Sequence, residues 1–248
     1  MIKKLLIPSI FLLISAIALA SDKGVAFQNA GMPALTRTWI GNDYIQAASV
    51  LTSKSTSLPR LSTKEGAALL ARICAQDNFD LLKDQSLPLQ IRMQDWLSLH
   101  NGLMAILKLY IAADTVNFKA TDEAAMLMAY SLYSAANGLA VIDQLLLLQP
   151  NGKLNPEAQD SLNKMRQNIV GMFVGAEMTL EVQGGFSPKS RSLILDAMVG
   201  TMPTFSRTFD KQFARELKRK LELRRQKMES SADRMKVDAL LKYLPDVH

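Results

Sequence analysis

The chain has 248 residues, with 29 Lys plus Arg against 23 Asp plus Glu, two His, one Cys and twelve Gly. That length supports a sizeable hydrophobic core without disulfides or structural metals. One cysteine excludes an intramolecular disulfide framework and any zinc site with more than one thiolate ligand.

Two histidines, one of them the terminal His248, leave little material for a histidine-rich metal centre. No metal and no cofactor are therefore expected. Few glycines and abundant Leu, Ala, Met, Gln and Lys favour helix over strand.

Residues 1–20 read as a cleaved secretory signal peptide. Lys3 and Lys4 supply the positive start, Leu5 to Ile17 the apolar run, and Ala18-Leu19-Ala20 the small–x–small cleavage pattern before Ser21. The run is short for a membrane span, and no Cys follows it to take a lipid. The expectation is an exported protein, periplasmic or secreted, with a bacterial type of signal. Loss of Lys3 and Lys4 lowers the net charge from +6 to +4. Residues 21–185 carry a net charge of −2 and residues 186–248 carry +6, so the excess positive charge lies entirely in the last quarter.

In chain order, residues 21–41 lack a sustained period and read as an irregular segment with Trp39 and Ile40 as anchors. A short helix is expected from Asn42 to Leu51. Ser62-Thr63-Lys64-Glu65 fits a capping box, with Ser62 as N-cap and Glu65 three residues on. The helix it opens should bury Leu69, Leu70 and Ile73 and reach Cys74, with a further turn from Asp77 to Lys83. Pro88 begins a long helix to about Ala113, whose second half is apolar nearly all round apart from Lys108.

Thr121 is the expected N-cap of the next helix, with Asp122 and Glu123 suited to its dipole. Residues 124–142 carry no charge and are long enough to span a membrane. Ser131, Ser134, Asn137 and the early Asp143 favour a core helix instead. Gln149-Pro150-Asn151-Gly152 ends it, and Asn155-Pro156 starts another carrying Leu162, Met165, Ile169, Met172, Phe173, Ala176 and Leu180. Gly184-Gly185 should stop that helix, while Gly171 and Gly175 would permit close helix packing. Ser187-Pro188 opens the next, and Pro203 should interrupt it, leaving a final long helix from near Thr204. Asp233 to Leu244 continues as helix. No strand pattern of any length occurs. The fold expected is all-α, a single bundle of six to eight helices over residues 21–248, with a basic C-terminal region at about 204–244.

Side chains with chemical potential are sparse. Glu177 and Glu181 stand four residues apart on one helical face, the spacing that could offer two carboxylates to a metal or substrate. No Glu-x-x-His follows, and the plain reading is a solvated helix edge. His100 lies among Trp96, Leu97, Leu103 and Met104 at helical contact spacing and reads as a core histidine. Cys74 reads as a buried thiol, and the Met residues as core filling. Asp143 follows a long apolar face, with Lys108 or Lys153 as expected partners. If the chain is an enzyme, Glu177, Glu181, His100 and Asp143 are its candidate catalytic residues.

The basic stretch is more distinctive. Nine Lys or Arg and three acids fall between Arg207 and Lys227. Phe205, Phe209, Phe213, Leu217 and Leu221 recur every four residues, which on one helix gives a slowly drifting apolar stripe beneath a cationic face. Arg215, Lys218, Arg219, Arg224 and Arg225 are the expected partner-binding cations. The same composition suits a membrane-surface helix. Nucleic acid ranks low, because export removes the protein from cytoplasmic DNA and RNA. The function expected is that of an exported cell-envelope interaction or accessory protein, an immunity or inhibitor type included, binding an acidic protein surface or an anionic envelope component. The rival readings are an envelope-active hydrolase or lipid-interacting enzyme, and a secreted effector.

Overall fold

The computed structural model describes residues 31–53, 57–117, 121–147, 156–180 and 186–245. The proposed signal and its cleavage site, the turn at 149–152, Gly184-Gly185 and Glu181 lie outside these residues. Among them the chain is all helical, with no strand. The helices are α1 (Gly41–Thr52), α2 (Lys64–Ile73), the single turn α3 (Asp80–Lys83), α4 (Leu89–Asn117), α5 (Thr121–Leu147), α6 (Pro156–Thr179), α7 (Pro188–Phe205), α8 (Lys211–Lys227) and α9 (Ser231–Leu241). Eight of them have ten residues or more, the upper end of the six to eight expected.

The long antiparallel pair α4 and α5 is the centre. Trp96 of α4 donates its ring N–H to the Ser134 carbonyl of α5 at 2.9 Å and lies over Gly138. The charge-free stretch of α5 is mostly core: Ala125, Leu127, Leu132, Ala135, Leu139 and Ile142 are buried. Two of its polar side chains bond within their own helix, Ser131 to the Met128 carbonyl at 2.7 Å and Asn137 to the Tyr133 carbonyl at 2.9 Å. α7 runs parallel to α5 on one side, with Gly200 beside the Tyr133 ring and Ser190 bonded to Asp122. α1 runs parallel to α4 on the other side.

Two glycines set the α1–α4 separation. A Cβ on Gly41 would lie 2.3 Å from the Asp95 carbonyl oxygen, and one on Gly102 would lie 2.5 Å from the Tyr44 carbonyl carbon. Both obstacles are backbone, which cannot step aside. Below this contact, a polar knot closes the N-terminal half. Tyr44 donates to the Ile73 carbonyl at 2.5 Å, Asn78 donates to the Tyr44 hydroxyl at 2.7 Å, and Tyr130 donates to the Ala75 carbonyl at 2.9 Å. Asn78 also accepts the Trp39 backbone N–H at 2.9 Å, so Trp39 is a fully buried anchor. Ile40, its expected companion, is exposed and instead occupies the N-cap of α1.

Several boundaries differ from expectation for local reasons. The cap of α2 is Thr63, not Ser62, and its hydroxyl accepts the Gly66 N–H at 3.1 Å. The third helical position is thus Gly66, where a Cβ would meet the Arg60 backbone at 2.4 Å, so the capping box with Glu65 does not form. The second half of α4 is not buried all round: Leu103, Ile106, Leu107 and Tyr110 face the core, but Lys108 and Ile111 are exposed. α6 ends at Thr179, before the two glycines. Among the described residues, no atom of a neighbouring element lies within 4 Å of a Cβ built on Gly171 or Gly175, so neither serves close packing there.

Pro203 does not interrupt α7, which runs on to Phe205. It falls in the last turn, where burial of Met198, Thr201, Met202 and Phe205 holds the backbone helical despite the lost donor. The break comes later. A short 3₁₀ turn at Ser206–Thr208 leads to extended Phe209, and Asp210 caps α8 by accepting the Phe213 N–H at 2.7 Å.

The glycine contact gives a direct test. Gly102→Ala should lower stability by about 1–3 kcal/mol through overpacking. Gly171→Ala, with open space beside it, should be neutral or raise stability by up to about 1 kcal/mol through helix propensity. Urea denaturation midpoints of the two variants should therefore move apart, and coincident midpoints would refute the close approach.

Candidate binding face

α8 is made of strong helix formers, and Arg224, Arg225 and Lys227 in its last turn suit the negative end of the helix dipole. Ala214, Leu217 and Leu221 are its buried apolar face. The phenylalanines expected on one helix belong to three segments: Phe205 to α7, Phe209 to the connection and Phe213 to the first turn of α8. They still meet, around Phe173 of α6. Ring centroids are 5.1 Å apart for Phe173–Phe205, 5.6 Å for Phe173–Phe209 and 4.8 Å for Phe209–Phe213. The aromatic face therefore packs against the bundle, with Phe205 fully buried and Phe209 and Phe213 partly so.

Beside this cluster, the Arg224 Nε–H donates to Glu177 Oε1 of α6 at 2.5 Å. The Glu177 side chain is 1% exposed and that of Arg224 10%. This corrects two expectations together. Glu177 is no solvated edge, and Arg224 is turned inward, where no partner could take it. Arg225 clamps Asp238 of α9, with a second bond from Nη2 to Oδ2 at 3.0 Å. That hydrogen bonding and the adjacent charge hold the Asp238 carboxyl below the usual carboxylate range. Lys236 of α9 reaches back to α7, 2.7 Å from Asp196 and 2.6 Å from the Ser192 hydroxyl. These contacts tie the α8–α9 hairpin to α6 and α7.

The outward side of α8 is what remains. Lys211, Arg215 and Arg219 are exposed, and none forms an ion pair among the described residues. Lys218 is half-buried at the edge of this face, and Lys220 is 3.6 Å from Glu216. Of the five expected binding cations, Arg215 and Arg219 thus lie fully on the open face, with Lys218 at its margin.

Family models, curated proteins and solved structures offer no match to this chain. Its function must be read from its own side chains.

The catalytic candidates are not brought together. His100 lies between α4 and α5, with Nδ1 3.3 Å from the Ser134 hydroxyl and its ring 5.5 Å from Trp96. Burial lowers its pKa from 6.5 to about 4, so it is neutral near pH 7. Asp143 is half-exposed and faces Arg166 of α6 at 3.5 Å, not Lys108; Lys153, the other expected partner, lies outside the described residues. Asp143 lies nine residues beyond Ser134 on α5, about 14 Å along the axis. Glu177 is committed to Arg224. Cys74 points its sulfur at the Met126 carbonyl, 4.0 Å away, and burial pushes its thiol well above the usual range. Met126 and Ser134 are eight residues apart, about 12 Å of helix, so Cys74 and His100 form no dyad. Among the described residues no group of three or more His, Cys, Asp and Glu is placed to hold a metal.

Sequence inspection missed the acidic pair at the start of α1. Asp43 takes both Arg37 nitrogens, at 2.6 and 2.7 Å, and caps Ile40 N–H at 2.8 Å. Burial alone would raise its pKa, but these bonds and the Arg37 charge bring it below the usual value. Asp95 accepts Gly41 N–H at 2.7 Å through Oδ1, while buried Oδ2 has no hydrogen-bond partner among the described residues. Burial, with Asp43 nearby, raises its pKa despite the Gly41 bond. Asp95 and Gly41 stand 54 residues apart, so that contact leaves no local signal to find.

Two measurements follow from these sites. Arg224→Met should cost about 3–5 kcal/mol by leaving Glu177 buried without a counter-charge, and Glu177→Met added to it should recover most of the loss. Arg219→Ala should stay within about 0.5 kcal/mol of the parent. For His100 the folded pKa lies below the unfolded 6.5. Its contribution is therefore present above pH 6.5 and is lost as pH falls towards about 4, by up to about 3 kcal/mol. Unfolding free energies measured across that window should slope less in His100→Gln than in the parent; an equal slope would assign the effect elsewhere.

Proposed function

We propose that this chain is an exported accessory protein of the cell envelope that binds an anionic partner through the outward face of α8. The observation that carries the reading is a division of labour on one helix. Its apolar face and Arg224 are consumed by the bundle, and Arg225 by α9, while Lys211, Arg215 and Arg219 are held out on a fixed support. Cations presented this way speed encounter with an acidic surface and select against basic ones. Scatter of His100, Asp143 and Glu177 over separate environments favours this reading over the enzymatic one. Export rests on the pattern of residues 1–20.

The test uses the full chain in its native envelope. Protein recovered from that fraction should begin at Ser21 by intact mass. A variant with Lys211, Arg215 and Arg219 all changed to Glu should unfold at the parent's temperature but lose the partners that cross-link to the parent. Unchanged partners would end the proposal for α8, and retention of residues 1–20 would end that for a cleaved signal.

A further inference from the structure

The outward face of α8 has an internal order that net charge does not describe. Lys211, Arg215, Arg219 and Leu223 follow one another at four-residue steps, each about 6 Å further along the axis and about 40° round it. Leu223 is 45% exposed although it sits within the most charged helix of the chain. Glu222 and Glu216, both exposed, lie beside this line on the helix surface. A flat anionic bilayer would meet cations and carboxylates alike and be repelled by the latter. It would also want an apolar anchor, and the phenylalanines that could serve are packed on Phe173 and on one another. A narrow ridge can follow the line and avoid its flanks.

We propose that Lys211, Arg215, Arg219 and Leu223 form a docking strip for one acidic amphipathic α-helix of a protein partner. The inference rests on the reading of α8 as the binding face and adds the shape of what binds. An α-helix repeats at the same rise, so acids at four-residue steps meet the three cations in turn, and an apolar side chain one step further covers Leu223. A partner helix that begins with its apolar residue over Leu223 runs antiparallel to α8, which also opposes the two helix dipoles favourably. Arg215 and Arg219 present planar forks suited to carboxylates, which gives the contact geometry as well as charge.

The experiment uses the mature chain and two synthetic peptides of identical composition. In one, a leucine is followed by three glutamates at four-residue steps on a helical alanine-rich background; in the other the same residues are shuffled. Binding is read by fluorescence anisotropy, alongside co-sedimentation with vesicles of equal parts phosphatidylglycerol and phosphatidylethanolamine. The ordered peptide should bind roughly tenfold more tightly than the shuffled one, a difference of about 1.4 kcal/mol. Arg219→Glu and Leu223→Gln should each weaken the ordered peptide to the level of the shuffled one, while Lys189→Glu, an exposed charge off the strip, should not. Equal binding of both peptides, or none, would overturn the helix strip. Vesicle binding abolished by Arg219→Glu, without peptide discrimination, would do the same and assign the face to lipid. Either result can coexist with the loss of envelope partners in the triple reversal, so the strip can fail while the broader reading of α8 survives.

Discussion

The bond between Glu177 and Arg224 fixes which way α8 faces. A carboxylate and a guanidinium in direct contact at 2.5 Å, both withdrawn from water, tolerate little rotation of the helix that carries one of them. Burial of such a pair adds little net stability, because desolvation offsets most of the attraction. Its consequence is orientational. Turning α8 by a third of a revolution would expose Leu217 and Leu221, bury Arg215 or Lys218, and leave Glu177 without its cation.

The Phe173 cluster acts with that pair. It joins α6, the end of α7 and the first turn of α8, so the connection at 206–210 is anchored on both sides. Arg225–Asp238 and Lys236–Asp196 extend the same tie through α9 to α7. These outer pairs are partly exposed and individually weak. They complete a hairpin whose inner face is saturated and whose outer face is left to solvent or a partner. The opposite end of the bundle is built differently, with backbone approaching backbone at Gly41 and Gly102 and a polar knot around Asn78. That end is held by close backbone contact and buried hydrogen bonds, and among the described residues it presents no comparable row of exposed cations.

Much of the fold was legible because long helices announce themselves locally. The charge-free run of α5, the Ser187-Pro188 start of α7 and the stripe from Leu162 to Ala176 each follow from spacing, propensity and capping within a few residues. The errors also have local causes. Pro203 reads as a breaker until burial on both sides of it is known, and Asp210 reads as a charge within a helix until it is seen to cap one. The regular four-residue phenylalanine spacing was real but did not belong to one helix. It survived the break in the helix because Phe205 and Phe209 pack on Phe173, and Phe213 packs on Phe209.

Sequence by itself determined the helical class, the core positions of most helices and the gathering of positive charge in the last quarter. Those properties depend on residues near one another in the chain. Which of the charges faces outward was decided only by tertiary structure. Arg219 and Arg224 sit on one helix, in similar surroundings along the chain, and only the second finds a buried carboxylate, 47 residues away on α6. Glu177 and Asp95 likewise owe their burial to helices distant in sequence. A charge is partnered by whatever folding brings to it, and helical periodicity cannot say what that will be.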